Sequence, residues 1–473
     1  MTIETVLLVS TLIIGFYMAW NIGANDVANA MGTSVGSKAL TMKQAVILAA
    51  ILEFSGAFFV GSEVSETVQK GIVSPEAFTH DPMIFAVGMM GALLATGVWL
   101  QLASYYRLPV STTHAIIGAV VGFGVVVGGI YSVDWPQLAI ISVSWVISPV
   151  LSGILSFILF SYLQKNILFA FHPLQATKKI APLFVFFTLF ILTLALIYDG
   201  LEHLNLDFSI ATSCLIASVV GSIAALVCFL LIRNIPITPF QTTVGAQPQH
   251  VISIEKAIKH VQRVKLSSKE DVRDKTSAVL KDLENLNESL REKTKFSLRT
   301  TAFQEVEKIF VYLQILSAAL VAFGHGANDV ANAIGPVAAV AAIVKSHTFV
   351  EQTQIPLWLL ALGGGGIVVG LATWGWRVIE TIGKKITHLT PTRGFCAEFG
   401  AATTILFASK LGIPISTTHC LVGAVLGVGL ARGLTALNLR TLKDIVLTWV
   451  VTIPVCGVIS IVVFYLLRLI FQI

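Results

Sequence analysis

The sequence predicts an all-α polytopic membrane protein with about 12 transmembrane segments, built as two inverted repeats with broken or re-entrant helices. Three observations carry this expectation. Of the 473 residues, 55% are hydrophobic and only 12% charged, with a mean hydropathy of +0.83. A soluble domain carries about a quarter charged residues. The octapeptide Gly23–Ala30, Gly-Ala-Asn-Asp-Val-Ala-Asn-Ala, returns letter for letter at Gly326–Ala333, 303 positions later. Seven apolar segments separate the two starts; an odd number brings the second copy into the membrane from the opposite face.

Taken in order, the first apolar segment is 5–36, with the octapeptide inside it or at its end. Glu4 stands at its start and no basic residue precedes it, so a retained helix is expected there, not a cleaved signal. Further segments fall at 43–62, 83–104, 113–130, 137–163, 181–199 and 209–232. A polar stretch occupies about 234–305. Then come 308–343, 356–376, 394–410, 418–431 and 443–470. The segments at 113–130 and 418–431 are short and rich in glycine, so broken or re-entrant helices are expected there. The resulting division is a first repeat over 1–163, two linking transmembrane helices over 164–233, a helical linker over 234–307 and a second repeat over 308–473. Within the linker, Ile254, Ile258, Val261 and Val264, and Leu280, Leu283, Leu286 and Leu290, are spaced as on amphipathic helices. A solvated helical hairpin is the first reading and a regulatory or docking role the alternative.

The net charge of +5 raises an acidic partner, but cations gather on the cytoplasmic side of membrane proteins. One set of alternate loops holds Lys38, Lys43, Lys165, Lys178, Lys179, Arg393 and Arg432; the other is dominated by acids such as Glu63, Glu66, Glu76, Asp81 and Asp134. This bias places 234–307 in the cytoplasm and both termini outside. A bilayer is the expected surrounding, and no nucleic-acid partner is expected. The five cysteines lack metal-ligand spacing and read as small core residues.

The duplication extends past the octapeptide. Gly56–Gly61 resembles Gly365–Gly370, Val64–Val68 resembles Val378–Ile382, and Pro109–His114 closely matches Pro414–His419. In the last pair, Ser111-Thr112-Thr113 and Ser416-Thr417-Thr418 follow a proline and precede a glycine-rich apolar run. That is a helix-start signal. Free N–H groups, the positive end of the dipole and added hydroxyls make such a start a ready anion site. Two matched starts suit a tetrahedral oxyanion, and with no Lys or Arg in either motif the anion remains releasable; plain helix capping is the alternative.

The octapeptides supply Asn25, Asp26 and Asn29, and Asn328, Asp329 and Asn332. Carboxylate, amide and carbonyl oxygens suit a hard cation, and one carboxylate per site favours Na⁺ over Ca²⁺. Glu53 and Glu398 are further acids in apolar runs. A charge at mid-membrane costs about 2.5–3.5 kcal/mol, so four such acids call for bound cations, protons or hydrogen-bond partners. His114, His419 and His325 read first as hydrogen-bonded core residues and second as proton-coupling groups. Gly363–Gly366 is followed by no Gly-Lys-Ser/Thr and reads as close helix packing.

At these residues the chain resembles the inorganic phosphate transporter (PiT) family. The duplicated Gly-Ala-Asn-Asp-Val-Ala-Asn-Ala stands at Gly23–Ala30 and Gly326–Ala333, the Pro-Val/Ile-Ser-Thr-Thr-His elements at Pro109–His114 and Pro414–His419, and the two intramembrane glutamates at Glu53 and Glu398. The resemblance covers both membrane halves and implies uptake of inorganic phosphate by cation symport through alternating access, with Na⁺ as the coupling ion and H⁺ as the alternative. It implies that Asp26 and Asp329 serve cation coupling and that the Ser-Thr-Thr clusters bind phosphate. It also implies a homodimer in the cell membrane. No enzymatic activity and no organic cofactor are expected: an intramembrane aspartyl protease would need a Gly-x-Gly-Asp pattern that Asn25-Asp26 does not provide. A passive anion channel is the remaining alternative.

Overall fold

The computed structural model describes all residues except 1, 79–80, 107, 171, 199–207, 236–247, 268–269, 298–300, 347–354, 380–388, 434–438 and 473. The chain is helical throughout, with a single β-bridge between Val73 and Val133 among the described residues. It forms two compact units. The larger comprises Met1–Ser161, Phe184–Ala225 and Phe310–Ile473; the smaller comprises Tyr162–Leu183 and Leu226–Ile309.

Local chemistry sets the boundaries. Helix α1 (Ile3–Gly36) is capped by Thr2 and contains the whole first octapeptide. Helix α2 (Met42–Val60) opens on a capping box formed by Thr41 and Gln44, and a short helix α3 (Ser62–Lys70) follows. Asp81 caps α4 (Pro82–Tyr105), which carries proline in its first turn. Helix α5 (Thr112–Phe123) starts on Ser111 and widens into a π-helical turn at Gly124–Gly128. Then come α6 (Trp135–Leu163), α7 (Pro173–Tyr198) and α8 (Ile210–Arg233). In the smaller unit, α9 (Pro248–Ser267) and α10 (Glu270–Ser297) pack together as the amphipathic hairpin expected of the linker, with Val264 and Leu286 left half-exposed. Helix α11 (Thr301–Ser346) begins before the predicted span and runs on through the second octapeptide. The rest are α12 (Leu357–Thr373), α13 (Pro391–Lys410), α14 (Thr417–Arg432) and α15 (Leu439–Phe471).

Eight helices, α1, α2, α4, α6, α7, α8, α11 and α15, are long and apolar enough to cross a membrane. Three shorter apolar helices, α5, α12 and α14, join them, as does α13 with Glu398 in its middle. The all-α polytopic fold and its dozen segments agree with the sequence.

The repeats are interlocked. Helix α12 packs on α1 of the other repeat, and α2 packs on α11. At these crossings glycine lets backbones touch. A Cβ at Gly23 would overlap the carbonyl of Ile367, and one at Gly326 the carbonyl of Glu53. A Cβ at Gly370 would meet the carbonyl of Trp20, and one at Gly56 that of Phe323. Trp20 and Phe323 stand 303 apart, as the octapeptides do, so Gly56 corresponds to Gly370 and Glu53 to Ile367, both 314 apart. This corrects the pairing of Gly56–Gly61 with Gly365–Gly370. A run of four glycines offers several registers in sequence, but only one puts a glycine against the neighbouring carbonyl. The final helices are exchanged too: Gly118 and Gly122 of α5 abut Ile453 and Gly457 of α15, while Gly423 and Gly427 of α14 abut Pro149 and Gly153 of α6.

These contacts predict a sharp contrast. Gly326→Ala must push α2 and α11 apart and is expected to lower stability by about 1–3 kcal/mol. Gly365→Ala meets nothing within 4 Å and is expected to be neutral. Thermal unfolding of the detergent-solubilised variants measures the difference.

Candidate functional site

The site forms where two hairpin tips meet. The α4–α5 tip is braced against α1: Asn25 Nδ2 donates to Ser104 Oγ (3.0 Å) and to the carbonyl of Leu108 (3.1 Å), and its Oδ1 accepts from the N–H of Val110 (3.3 Å). The α13–α14 tip is braced the same way against α11: Asn328 Nδ2 donates to Ser409 Oγ (3.1 Å) and to the carbonyl of Ile413 (3.3 Å). The tips also hold each other. Thr113 Oγ1 donates to the carbonyl of Ile415 (2.8 Å), and Thr418 Oγ1 to that of Val110 (3.4 Å).

The six hydroxyls expected to bind an anion, at Ser111, Thr112, Thr113, Ser416, Thr417 and Thr418, are thus gathered in one buried place. They are not equivalent. Ser111 and Ser416 are N-caps whose Oγ atoms accept from the N–H of His114 and of His419, both at 3.2 Å, so their protons remain available. The threonine protons are engaged. Besides the two tip contacts, Thr417 Oγ1 donates to Asp329 Oδ2 at 2.8 Å, and Thr112 Oγ1 lies 3.5 Å from the same oxygen. The first intrahelical bonds run from Ala115 to Ser111 and from Cys420 to Ser416, which leaves the earlier N–H groups of each helix without an intrahelical partner.

Behind the hydroxyls lie the octapeptide side chains. Asn332 Nδ2 donates to Thr112 and Thr113 (3.3 and 3.2 Å), and Asn29 Nδ2 to Thr418 (2.8 Å) and Asp26 Oδ1 (3.2 Å). Asp26 and Asp329 come together: with His325 they offer three ligand atoms within 4.8 Å of one another, all buried. Two ionised carboxylates at that separation repel by roughly 3 kcal/mol at an effective dielectric constant of about 20. Asp26 Oδ2, Asp329 Oδ1, Asn29 Oδ1 and Asn332 Oδ1 are buried with no hydrogen-bond partner. Uncompensated oxygens beside two carboxylates are what a hard monovalent cation satisfies, so the donor set fits Na⁺.

The glutamates have different surroundings. Glu53 meets His325 Nδ1 at 3.3 Å, and His325 Nε2 lies 3.1 Å from Asp329 Oδ2, so one ring links both acids. Glu398 is fully served: Oε1 accepts from Thr33, Ser34 (2.7 Å) and Gln314 (3.2 Å), and Oε2 from Ser317 (2.6 Å). Among the described residues, no lysine or arginine pairs with any of the four acids. His325 is therefore more than a core residue, and Ser104, Ser409, Thr33, Ser34, Gln314 and Ser317 enter the site unforeseen. The serines had left a signal: Ala103-Ser104 and Ala408-Ser409 share the displacement of 305 that relates Pro109 to Pro414.

Comparison with known proteins gives a consistent picture. Residues 22–460 match the phosphate transporter family (PHO4). The chain is 45% identical over 456 residues to the chloroplastic inorganic phosphate transporter 2-1 of Arabidopsis thaliana, covering 96% of this chain and 71% of that protein. It is 43% identical over 465 residues to a protein named as a phosphate permease in Chlamydia trachomatis, covering 98% and 99% of the two chains. A solved structure titled the sodium-dependent phosphate transporter is similar with a TM-score of 0.79 and 37% identity, covering 98% of this chain and 100% of that one.

The tip bracing generates a prediction. Asn328→Ala strips the buried Ser409 Oγ and the half-buried carbonyl of Ile413 of a donor and is expected to lower stability by about 1–3 kcal/mol. Asn166→Ala removes one bond on an exposed helix face and is expected to stay within about 0.5 kcal/mol. Thermal unfolding of the purified variants distinguishes the two.

Proposed function

The chain belongs to the phosphate transporter family, whose members move phosphate across membranes, and from that premise we propose that it is a Na⁺-coupled phosphate symporter working by alternating access. The observation that carries the reading is the meeting of two helix N-termini with the unpartnered oxygens of Asp26 and Asp329. Phosphate lies on Ser111, Thr112, Thr113, Ser416, Thr417 and Thr418 and on the free N–H groups of those turns. Of the six octapeptide residues expected to hold Na⁺, Asp26, Asn29, Asn328, Asp329 and Asn332 each keep a buried oxygen for it; Asn25 departs from that expectation, because its Oδ1 accepts from the N–H of Val110 and braces the tip instead. Glu53, joined to this centre through His325, and Glu398 serve coupling.

Geometry suggests how cation and anion cooperate. Without a cation, Asp329 draws the hydroxyl protons of Thr417 and Thr112. A Na⁺ on Asp329 neutralises that acceptor, and the two hydroxyls are then free to turn to phosphate. The cation also lowers the cost of bringing an anion beside two carboxylates. If two Na⁺ accompany one monovalent phosphate, one net charge crosses, worth about 2.3 kcal/mol per 100 mV. The solved neighbour's title, which names sodium dependence, supports Na⁺. The proposal extends to a homodimer in the cell membrane, with both termini outside and 234–307 in the cytoplasm.

H⁺ coupling is the second reading, favoured by His325 between Glu53 and Asp329. Uptake of radiolabelled phosphate into proteoliposomes decides. A Na⁺ gradient is expected to drive accumulation above the electrochemical gradient of phosphate. Equal uptake in choline removes Na⁺ coupling, uptake driven by an imposed pH gradient alone supports H⁺, and uptake that never exceeds the phosphate gradient indicates a channel. Asp26→Asn and Asp329→Asn are each expected to lower Na⁺-dependent uptake by about 10- to 100-fold, the worth of one charged ligand, while the protein still inserts in the membrane. Normal Na⁺ stimulation in both variants would exclude their cation role.

A further inference from the structure

The two histidines that end the Pro-x-Ser-Thr-Thr-His motifs take no part in the chemistry above, yet they are buried and meet each other. Their rings lie 4.4 Å apart between centroids, nearly perpendicular at 78°. Each is also tied to the last helices of both repeats. His114 packs on the Trp145 ring at 4.0 Å, and its Nδ1 lies 3.3 Å from the carbonyl of Trp449. His419 stacks on the Trp449 ring at 3.5 Å, and its Nδ1 lies 3.4 Å from the carbonyl of Trp145. Trp145 and Trp449 stand 304 apart, so the four rings form a two-fold cross-brace over the seam between the repeats.

A carbonyl oxygen only accepts, so both Nδ1 atoms carry the proton. Trp145 has its carbonyl to spare because the residue four places on is Pro149, which has no N–H to offer it. In the second repeat the proline comes one place later, at Pro454, and frees the carbonyl of Val450 instead. Both Nε2 atoms are buried without a partner. Phenylalanine would fill the space without that burden, so the histidine ring is used for its Nδ1–H donor.

We infer that His114 and His419 are positioning residues, whose cross-brace holds the two Ser-Thr-Thr helix starts at anion-ready spacing; this rests on the placement of phosphate at those starts. Each histidine lies in the turn that bears the hydroxyls, its N–H held by the capping serine. Two helix N-termini converging on one point carry like partial charges and repel when no anion lies between them. A brace that opposes the repulsion preorganises the site and raises affinity for the anion.

The test uses the full chain in proteoliposomes at saturating Na⁺, reading KM and Vmax for radiolabelled phosphate alongside thermal unfolding. An Asn amide puts its N–H near the place of Nδ1, whereas Gln carries it one carbon farther. His114→Gln and His419→Gln are each expected to raise the phosphate KM about tenfold, the worth of one neutral hydrogen bond. His114→Asn and His419→Asn are expected to stay within about threefold of the parent, with Vmax within about twofold in all four. Equal KM for the Asn and Gln variants, or a loss confined to Vmax with lower unfolding temperature, overturns the inference. Should the Gln variants fail to fold, His114→Phe and His419→Phe decide: each keeps a ring in the place and removes the Nδ1–H donor, and an unchanged KM overturns the brace. Thr417→Val separates the two levels. If it leaves the phosphate KM unchanged, the placement of phosphate fails; if it raises KM while the histidine variants do not, only the brace falls.

Discussion

Two carboxylates, Asp26 and Asp329, lie buried side by side with a single histidine between them and Glu53. In an apolar surrounding this arrangement is unfavourable unless a cation or proton joins it. The rest of the site follows from it. The asparagines one turn on direct their amides at threonine hydroxyls, so their oxygens remain for a cation. The threonines of α5 and α14 lean toward Asp329, which ties the two hydroxyl turns to the charge state of the acid. Under the proposed placement, cation and anion would share hydrogen-bonding groups instead of occupying neighbouring but independent pockets.

Much of this was legible in the sequence, because the polar groups stand out against hydrocarbon and occur twice. The octapeptides, the Ser-Thr-Thr helix starts and the places of the dozen apolar helices could be read from local chemistry, whereas the short helix α3 and the early starts of α7 and α11 could not. What could not be read was which surface meets which. Exchange of α2 and α12 between the repeats depends on backbone contact at Gly23, Gly56, Gly326 and Gly370, and a glycine in sequence does not name its neighbour. The tetraglycine run misled for the same reason. Ser104 and Ser409 were hidden by ordinariness: a serine in an apolar helix commonly bonds to its own backbone.

The two halves are matched at the hydroxyl turns and at Asp26 and Asp329, and unmatched at the two glutamates and His325. Glu53 corresponds to Ile367, His325 to Ile22 and Glu398 to Leu93 by the displacements that relate the helices. The hydroxyl turns, tip asparagines and tryptophans keep their counterparts. In the proposed function that symmetric floor suits a tetrahedral oxyanion presented in turn to either side. The unmatched acids make the two halves electrostatically unequal, so in the proposed alternating-access cycle opening one way would not be the energetic mirror of opening the other.

The exchange of helices between repeats also bears on how the chain is made. Glycine faces of α1, α5 and α6 find partners in α12, α14 and α15, which are synthesised roughly 15–60 s later at about 5–20 residues per second. Until then these close-packing surfaces face lipid, and the buried acids of α1 and α2 have neither His325 nor the second hydroxyl turn nearby. The first half is therefore an assembly intermediate, complete in its helices but not in its contacts, and its safe passage depends on the membrane insertion machinery as much as on its own sequence.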